Sequence, residues 1–317
     1  MHDIEKATMS AIEPAAPTLP PELFQRWTAY LDAKPKTVAT YTRSIRQFAR
    51  FIKERGIDAP TRETVLDFRE AETAAGKSAA TVNAYLVAVK LFFRWAAQEG
   101  IYPNIAEHVK GRKVSHTFKK DYLTSRQARA LLATCDRSTV GGRRDYALLS
   151  LMMCTGIRTI EAARANVGDI RTAGENVVLY VEGKGRDDRQ EYVKLEPPVE
   201  EALRAYITAE YAGKNPPEAA PLFCSTARRN DGGRMTTRSI SRIVKGHLLD
   251  AGLKSSRLTA HSLRHTAATL MLKGGAKITE VQQILRHSNI STTMIYSHAL
   301  ERAANTGESK AARAIFG

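Results

Sequence analysis

Cysteine is scarce. Cys135, Cys154 and Cys224 are the only three in 317 residues, too few and too scattered for a disulfide framework or a paired-cysteine metal knuckle, and they suit a reducing cytosol as buried thiols. Long apolar runs are also missing. The longest largely apolar stretch, Tyr146 to Cys154, falls well short of the ~20 residues a membrane span needs. The first ten residues carry Asp3 and Glu5 with no apolar stretch behind them, so neither a secretory signal nor membrane insertion is expected. Acidic side chains are outnumbered 33 to 48, for a net charge of +15. That excess favours a polyanionic partner, nucleic acid or an anionic membrane surface, and charge alone does not choose between them. Hydrophobic residues at 43% and charged residues at 26% are otherwise ordinary, and the length suits two domains of roughly 150 residues each.

Residues 1–20 hold Pro14, Pro17 and Pro20 among small residues, which reads as a disordered leader. Residues 21–105 follow a helical pattern. Tyr41, Ile45, Phe48 and Ile52 recur at helical spacing, with Arg43, Arg46, Arg50 and Lys53 on nearly the opposite face; that face is either ordinary solvated charge or a row of phosphate contacts. A second helix is expected from Ser78, a good N-cap, to Gly100, a good stop. Residues 106–121 form a basic linker containing Lys110, Arg112, Lys113, Lys119 and Lys120. Residues 1–105 carry 14 basic and 12 acidic side chains, which leaves 34 and 21 for residues 106–317, so any polyanion is held mainly by the linker and second half.

From residue 122 to 317 the pattern predicts helices at Ser125–Thr134 and Arg144–Cys154, the latter stopped by Gly156. Two β-rich runs, Val177–Glu182 and Gln190–Leu195, predict a hairpin with Lys184 between glycines at its tip. Helical patterns resume from Val199 to the end. The expected fold is mainly α, with an N-terminal helical domain and a mostly helical second domain bearing one small antiparallel sheet.

The polar residues of the second half come in a suggestive order: Arg158 in TGIRTIE, Lys184 in EGKGR, His261 and Arg264 in HSLRH, His287 in LRHSN and Tyr296 in TTMIYSH. Two guanidiniums can offer planar donor forks to the non-bridging oxygens of a phosphodiester as phosphorus becomes pentacoordinate. A tyrosine can attack phosphorus, a histidine can take its proton, and a lysine can protonate the departing sugar oxygen. Singly, each has a plainer reading. Glu161 with Arg158 could be a surface ion pair, Lys184 a turn residue, and Tyr296 a structural aromatic. The two histidines of HSLRH have metal-pair spacing, but Arg264 lies between them and no third ligand is near, so no metal is expected; His265 reads as packing or as support behind the residues that touch the phosphate, since only one face of that helix can point at it.

The conjunction resembles the tyrosine recombinase family, the phage-integrase and Xer-type site-specific DNA recombinases, over nearly the whole chain. The resemblance implies a core-binding, SAM-like N-terminal domain over 21–105 and a catalytic domain with a C-terminal tail over 122–317, together forming a C-shaped clamp on duplex DNA. Arg158 and Arg264 resemble the family's phosphate clamps, His261 its general acid/base, Lys184 its β-turn general acid, His287 its second phosphate-contacting position and Tyr296 its nucleophile. Glu161 would hold the Arg158 guanidinium in its working orientation. By the same resemblance the protein cleaves and rejoins double-stranded DNA through a 3′-phosphotyrosine with no cofactor, as a homotetramer on two sites with a Holliday-junction intermediate, in the cytoplasm with the nucleoid. Lys110, Arg112 and Lys113 are expected on DNA. A directionality or accessory factor is left open, and no membrane partner is expected.

By the same resemblance the short leader implies a member without a separate arm-binding domain, and the family's tail exchange, with Ala312, Ile315 and Phe316 at helical spacing, suggests a tail that docks on a neighbouring protomer; a cap on its own domain is the alternative. One departure stands out: many members read LGH where this chain reads LRH, with Arg286 in the glycine position. A turn needing positive φ there would strain an arginine, although the side chain could add a phosphate contact. Two rivals stay open, a type IB topoisomerase and a catalytically silent DNA-binding protein on the same scaffold.

Overall fold

A computed structural model describes residues 21–114, 121–182, 191–287, 289–291, 293–294, 296 and 306–316. The leader, Lys119, Lys120 and Lys184 lie outside the described residues. The chain divides into two compact units, Met1–His116 and Thr117–Gly317.

The first unit is a bundle of α1 (Pro21–Tyr30), α2 (Pro35–Glu54), α3 (Arg62–Ala74) and α4 (Ala79–Gln98). Its starts are set by side chains: Ser78 Oγ accepts the Thr81 N–H at 3.1 Å, and Thr61 and Thr64 cap each other's backbone at the head of α3. Helices α2 and α4 pack along their lengths on an aromatic core. Phe48 lies edge-on to Phe68 and Phe93, at 5.3 and 5.8 Å between ring centres, and Trp27 meets Phe92 the same way at 5.6 Å. Each such ring contributes about 1.5–3 kcal/mol by leaving water and edge-to-face contact adds about 0.5–1.5 kcal/mol more. Arg43, Arg46, Arg50 and Lys53 stand exposed on the far side of α2. Beyond α4, Ala106 and Val109 are buried in the same core. Asn83 then grips the chain, accepting the Arg112 N–H at 2.7 Å and donating to its carbonyl at 2.8 Å, while Lys110, Arg112 and Lys113 keep their side chains exposed.

The second unit contains α5 (Ser125–Ala133), α6 (Val140–Thr155), α7 (Thr159–Arg164), a 3-10 turn (Val167–Asp169), β1 (Ile170–Ala173), β2 (Asn176–Val181), β3 (Glu191–Lys194), α8 (Pro197–Glu210), α9 (Thr237–Asp250), α10 (Ala260–Lys273), α11 (Ile278–Leu285) and α12 (Gly307–Phe316). Helix α6 is central: Leu148, Leu149, Leu151 and Met152 are buried around it, the signature of a helix covered on several sides, and it packs on α8 and α10. It begins four residues before the expected Arg144, because Thr139 caps Gly142 while Gly141 and Gly142 mask the first turn from any propensity reading. The sheet is antiparallel in the order β1-β2-β3, with Thr172 opposite Val177 and Leu179 opposite Val193. Strand β1 was not expected: four residues with Arg171 and Thr172 at its centre show no alternation, and only pairing with β2 makes it a strand. No described helix is long and apolar enough to cross a membrane.

Candidate active site

The site is assembled where α6, α7, α10 and α11 end or begin. Helix α6 stops at Gly156, whose left-handed φ of 64° suits glycine. A β-carbon there would also come within 2.4 Å of the Leu285 side chain, so the position needs both the conformation and the missing side chain. The chain then reverses through buried Ile157 to Arg158, the N-cap of α7.

Glu161, one turn into α7, is completely buried. Its Oε2 accepts the Arg158 backbone N–H at 2.7 Å and its Oε1 accepts Arg158 Nη1 at 2.7 Å. Burial pushes its carboxyl upward, but Arg286 and the Arg158 contacts outweigh this and hold it below the usual carboxylate range. A surface ion pair is thereby replaced by a buried anchor that fixes the Arg158 guanidinium.

Helix α10 carries His261, Arg264 and His265 at i, i+3 and i+4, hence on neighbouring positions of one face. Arg264 is 2% exposed. It donates to the Gly156 carbonyl at 2.6 Å and to the Leu285 carbonyl. Burial, with Arg158 adding to it, lowers its pKa to about 10, which leaves it cationic at neutral pH. Arg158 Nη2 donates to the next carbonyl, that of Arg286, at 2.9 Å. The two arginines predicted from separate motifs are therefore seated on consecutive carbonyls at the end of α11, through contacts 128 and 21 residues apart in sequence.

His287 follows directly. Its Nδ1 lies 2.9 Å from Thr293 Oγ1, and burial, reinforced by Arg264 and Arg158, lowers its pKa to about 4. It is neutral at physiological pH, with Nε2 the donor when Nδ1 accepts from the threonine. Tyr296 is 3% exposed and packs in a small cluster with Ala268, Val281 and Leu285. Burial raises its pKa to about 12, against a lowering effect of Arg264; the hydroxyl keeps its proton at neutral pH and lies within electrostatic reach of that guanidinium.

Two features go beyond the sequence reading. His265, read as packing or support, has Nδ1 2.6 Å from the Tyr296 hydroxyl and its ring edge-on to His261, 4.5 Å between centres; His261 itself is exposed at the head of α10. Arg286 does adopt the left-handed conformation, φ 55° and ψ 49°, but its side chain turns onto Glu161 at 2.6 Å. Spacing within HSLRH could have flagged His265 as a neighbour of the site, yet nothing local ties it to a tyrosine 31 residues on. Among the described residues, Arg158, His261, Arg264, His265, His287 and Tyr296 share this region; Lys184 lies outside them.

Residues 121–302 match the phage integrase family, and residues 24–100 match the phage integrase N-terminal SAM-like domain. The tyrosine recombinase XerD of Bifidobacterium longum (strain NCC 2705) is 33% identical over 278 residues, covering 83% of this chain and 86% of that protein. The fold is shared with the XerH site-specific recombinase bound to palindromic difH substrate in a post-cleavage complex, at a TM-score of 0.70 and 22% identity over 89% of this chain and 83% of that one. It is shared too with a lambda integrase tetramer bound to a Holliday junction, at a TM-score of 0.67 and 20% identity over 87% of this chain and 76% of that one. With the two arginines, the histidines and the tyrosine gathered at one site, this chain belongs to the phage integrase family of tyrosine recombinases.

Proposed function

We propose that this protein is a site-specific recombinase that cuts and rejoins duplex DNA through a covalent 3′-phosphotyrosine. Tyr296 Oη attacks the scissile phosphorus and gives up its proton to a histidine of α10. The bond to the 5′ oxygen breaks, and Lys184 protonates that oxygen as it leaves. Arg158, Arg264 and His287 hold the non-bridging oxygens, on which charge develops in the pentacoordinate state. The 5′ hydroxyl of a second strand then reverses the step on its partner, so the ester is exchanged rather than hydrolysed. Four protomers acting on two sites through a Holliday junction fit this chemistry. Phosphate contacts from the linker residues Lys110, Arg112 and Lys113 and from the basic second half would supply most of the affinity, with the basic face of α2 adding to them.

The observation that carries this reading is the seating of Arg158 and Arg264 on adjacent carbonyls beside a buried tyrosine that Arg264 polarises. The test is selection from a randomised duplex library for SDS-resistant protein-DNA adducts. The expected result is a defined site joined through its 3′ phosphate, with Tyr296→Phe binding the selected duplex and forming no adduct. An adduct in that variant would move the nucleophile elsewhere. Relaxation of supercoils by a lone protomer, without exchange between two selected sites, would favour a type IB topoisomerase instead.

A further inference from the structure

The turn after α11 places an arginine in a conformation that disfavours every residue with a β-carbon. Arg286 has φ 55° and ψ 49°, and Ala212 is the other non-glycine residue with positive φ among those described. Its side chain is also only 6% exposed. A strained backbone and a buried charge are each unfavourable, and such a pairing persists where surrounding contacts impose it.

Those contacts form a closed ring. Arg286 Nη2 donates to Glu161 Oε2 at 2.6 Å. Glu161 Oε1 accepts from Arg158 Nη1 at 2.7 Å. Arg158 Nη2 donates to the Arg286 carbonyl at 2.9 Å. The same residue thus touches the clamp twice, through its backbone directly and through its side chain by way of Glu161. Arg286 Nη1 is fixed on the Ile284 carbonyl at 3.0 Å. Its Nε lies 3.5 Å from Glu191, a more exposed carboxylate, and makes no hydrogen bond. The guanidinium is oriented for Glu161.

Charge explains what the side chain adds. Glu161 alone would cancel Arg158, leaving a neutral pair where a phosphate with growing negative charge must be held. A second cation on the other carboxylate oxygen compensates Glu161; Glu191, partly exposed and 3.5 Å from Arg286, is screened by solvent, so the buried trio keeps a net positive charge and Arg158 keeps its attraction for the phosphate.

We infer that Arg286 is a positioning residue for the phosphate clamp: it neutralises and orients Glu161 so that Arg158 is both fixed and left electrostatically available to the scissile phosphate. The inference rests on the phosphotyrosine reading above. Glycine at this position would relax the backbone and preserve the carbonyl while removing the charge.

The experiment compares wild type, R286G and R286K for adduct formation at saturating protein on the selected duplex, carrying either the normal scissile phosphate or an uncharged methylphosphonate. R286G should melt lower than wild type, since relief of the backbone offsets only part of the lost partner of buried Glu161, yet bind the duplex as tightly when folded and cleave the normal phosphate slower by roughly tenfold to a hundredfold, the scale of a misplaced catalytic group. R286K, which keeps the charge, should recover most of that loss. On the methylphosphonate, R286G and wild type should cleave at similar rates, because there is less charge to hold. In an E161Q background the effect of R286G should shrink, since the charge it compensates is gone. Unchanged cleavage by R286G, or equal loss on both substrates, would overturn the inference while leaving the phosphotyrosine reading intact. No adduct from wild-type protein would overturn that reading, and this inference with it.

Discussion

At the scale of single residues, the informative contact is that of His265 with Tyr296. A phenol whose pKa is raised to about 12 by burial is a poor nucleophile at neutral pH until its proton is removed, and His265 Nδ1 stands 2.6 Å from it. His265→Ala should therefore slow adduct formation by about a hundredfold, the usual scale for a lost general base, with DNA binding unchanged and partial rescue by added imidazole. A wild-type rate in that variant would return the role to His261. The grouping is legible as residue types in order: Arg158, His261, Arg264, His287 and Tyr296, which the structure brings into one region, each stand in a local motif. What was not legible was contact across the sequence. The Arg264 bond to Leu285, the His265 bond to Tyr296 and the turn of Arg286 onto Glu161 depend on how α7, α10 and α11 meet, and no period or motif encodes that meeting. Arg286 shows it well: the sequence raised the question of positive φ, and only the fold answers that the side chain serves Glu161 rather than a phosphate.

At the scale of elements, helices were read well where capping and apolar period agreed, as in α2 and α4, and poorly where glycines or brevity hid them, as at the start of α6 and in β1. One junction between elements makes a pH prediction. His247 on α9 places Nδ1 2.8 Å from Thr134 Oγ1, beyond the end of α5, and Nε2 3.2 Å from Asp145 on α6, so a single side chain ties three helices together. The Asp145 bond, then that of Cys135, raises its pKa to about 10 against the effect of burial. A histidine raised above its ordinary value of 6.5 stabilises the fold fully below pH 6.5, and that contribution is lost as pH rises through the folded value. The melting temperature should therefore fall between about pH 6.5 and pH 10, measured by circular dichroism. His247→Gln should melt lower at pH 6 and lack this part of the decline. An identical slope in the variant would mean that His247 is not held as the cation.

At the scale of the whole molecule, composition had already located the positive charge in the second half and separated two helical bodies, because net charge and apolar period are additive properties of a chain. Assembly is not additive, and here the last helix carries the argument. Helix α12 (Gly307–Phe316) has no buried residue, and Ile315 and Phe316 are 71% and 86% exposed. A terminal helix that capped its own domain would bury its apolar side chains; this one presents them outward, as an element waiting for another surface does. Docking on a neighbouring protomer is the expectation that follows from the family resemblance, and burying those two side chains would contribute about 1.5–3 kcal/mol each. Removing residues 306–317, or replacing Ile315 and Phe316 together with serine, should leave the melting temperature and single-site binding unchanged. Each change should weaken assembly of the multi-protomer complex on paired sites by at least about tenfold, since about 1.4 kcal/mol corresponds to one factor of ten. Sedimentation of protein with one site and with two sites would separate these effects. A lower melting temperature with intact assembly would mean that the helix caps its own domain, and unchanged recombination by the truncated chain would remove it from the assembly altogether.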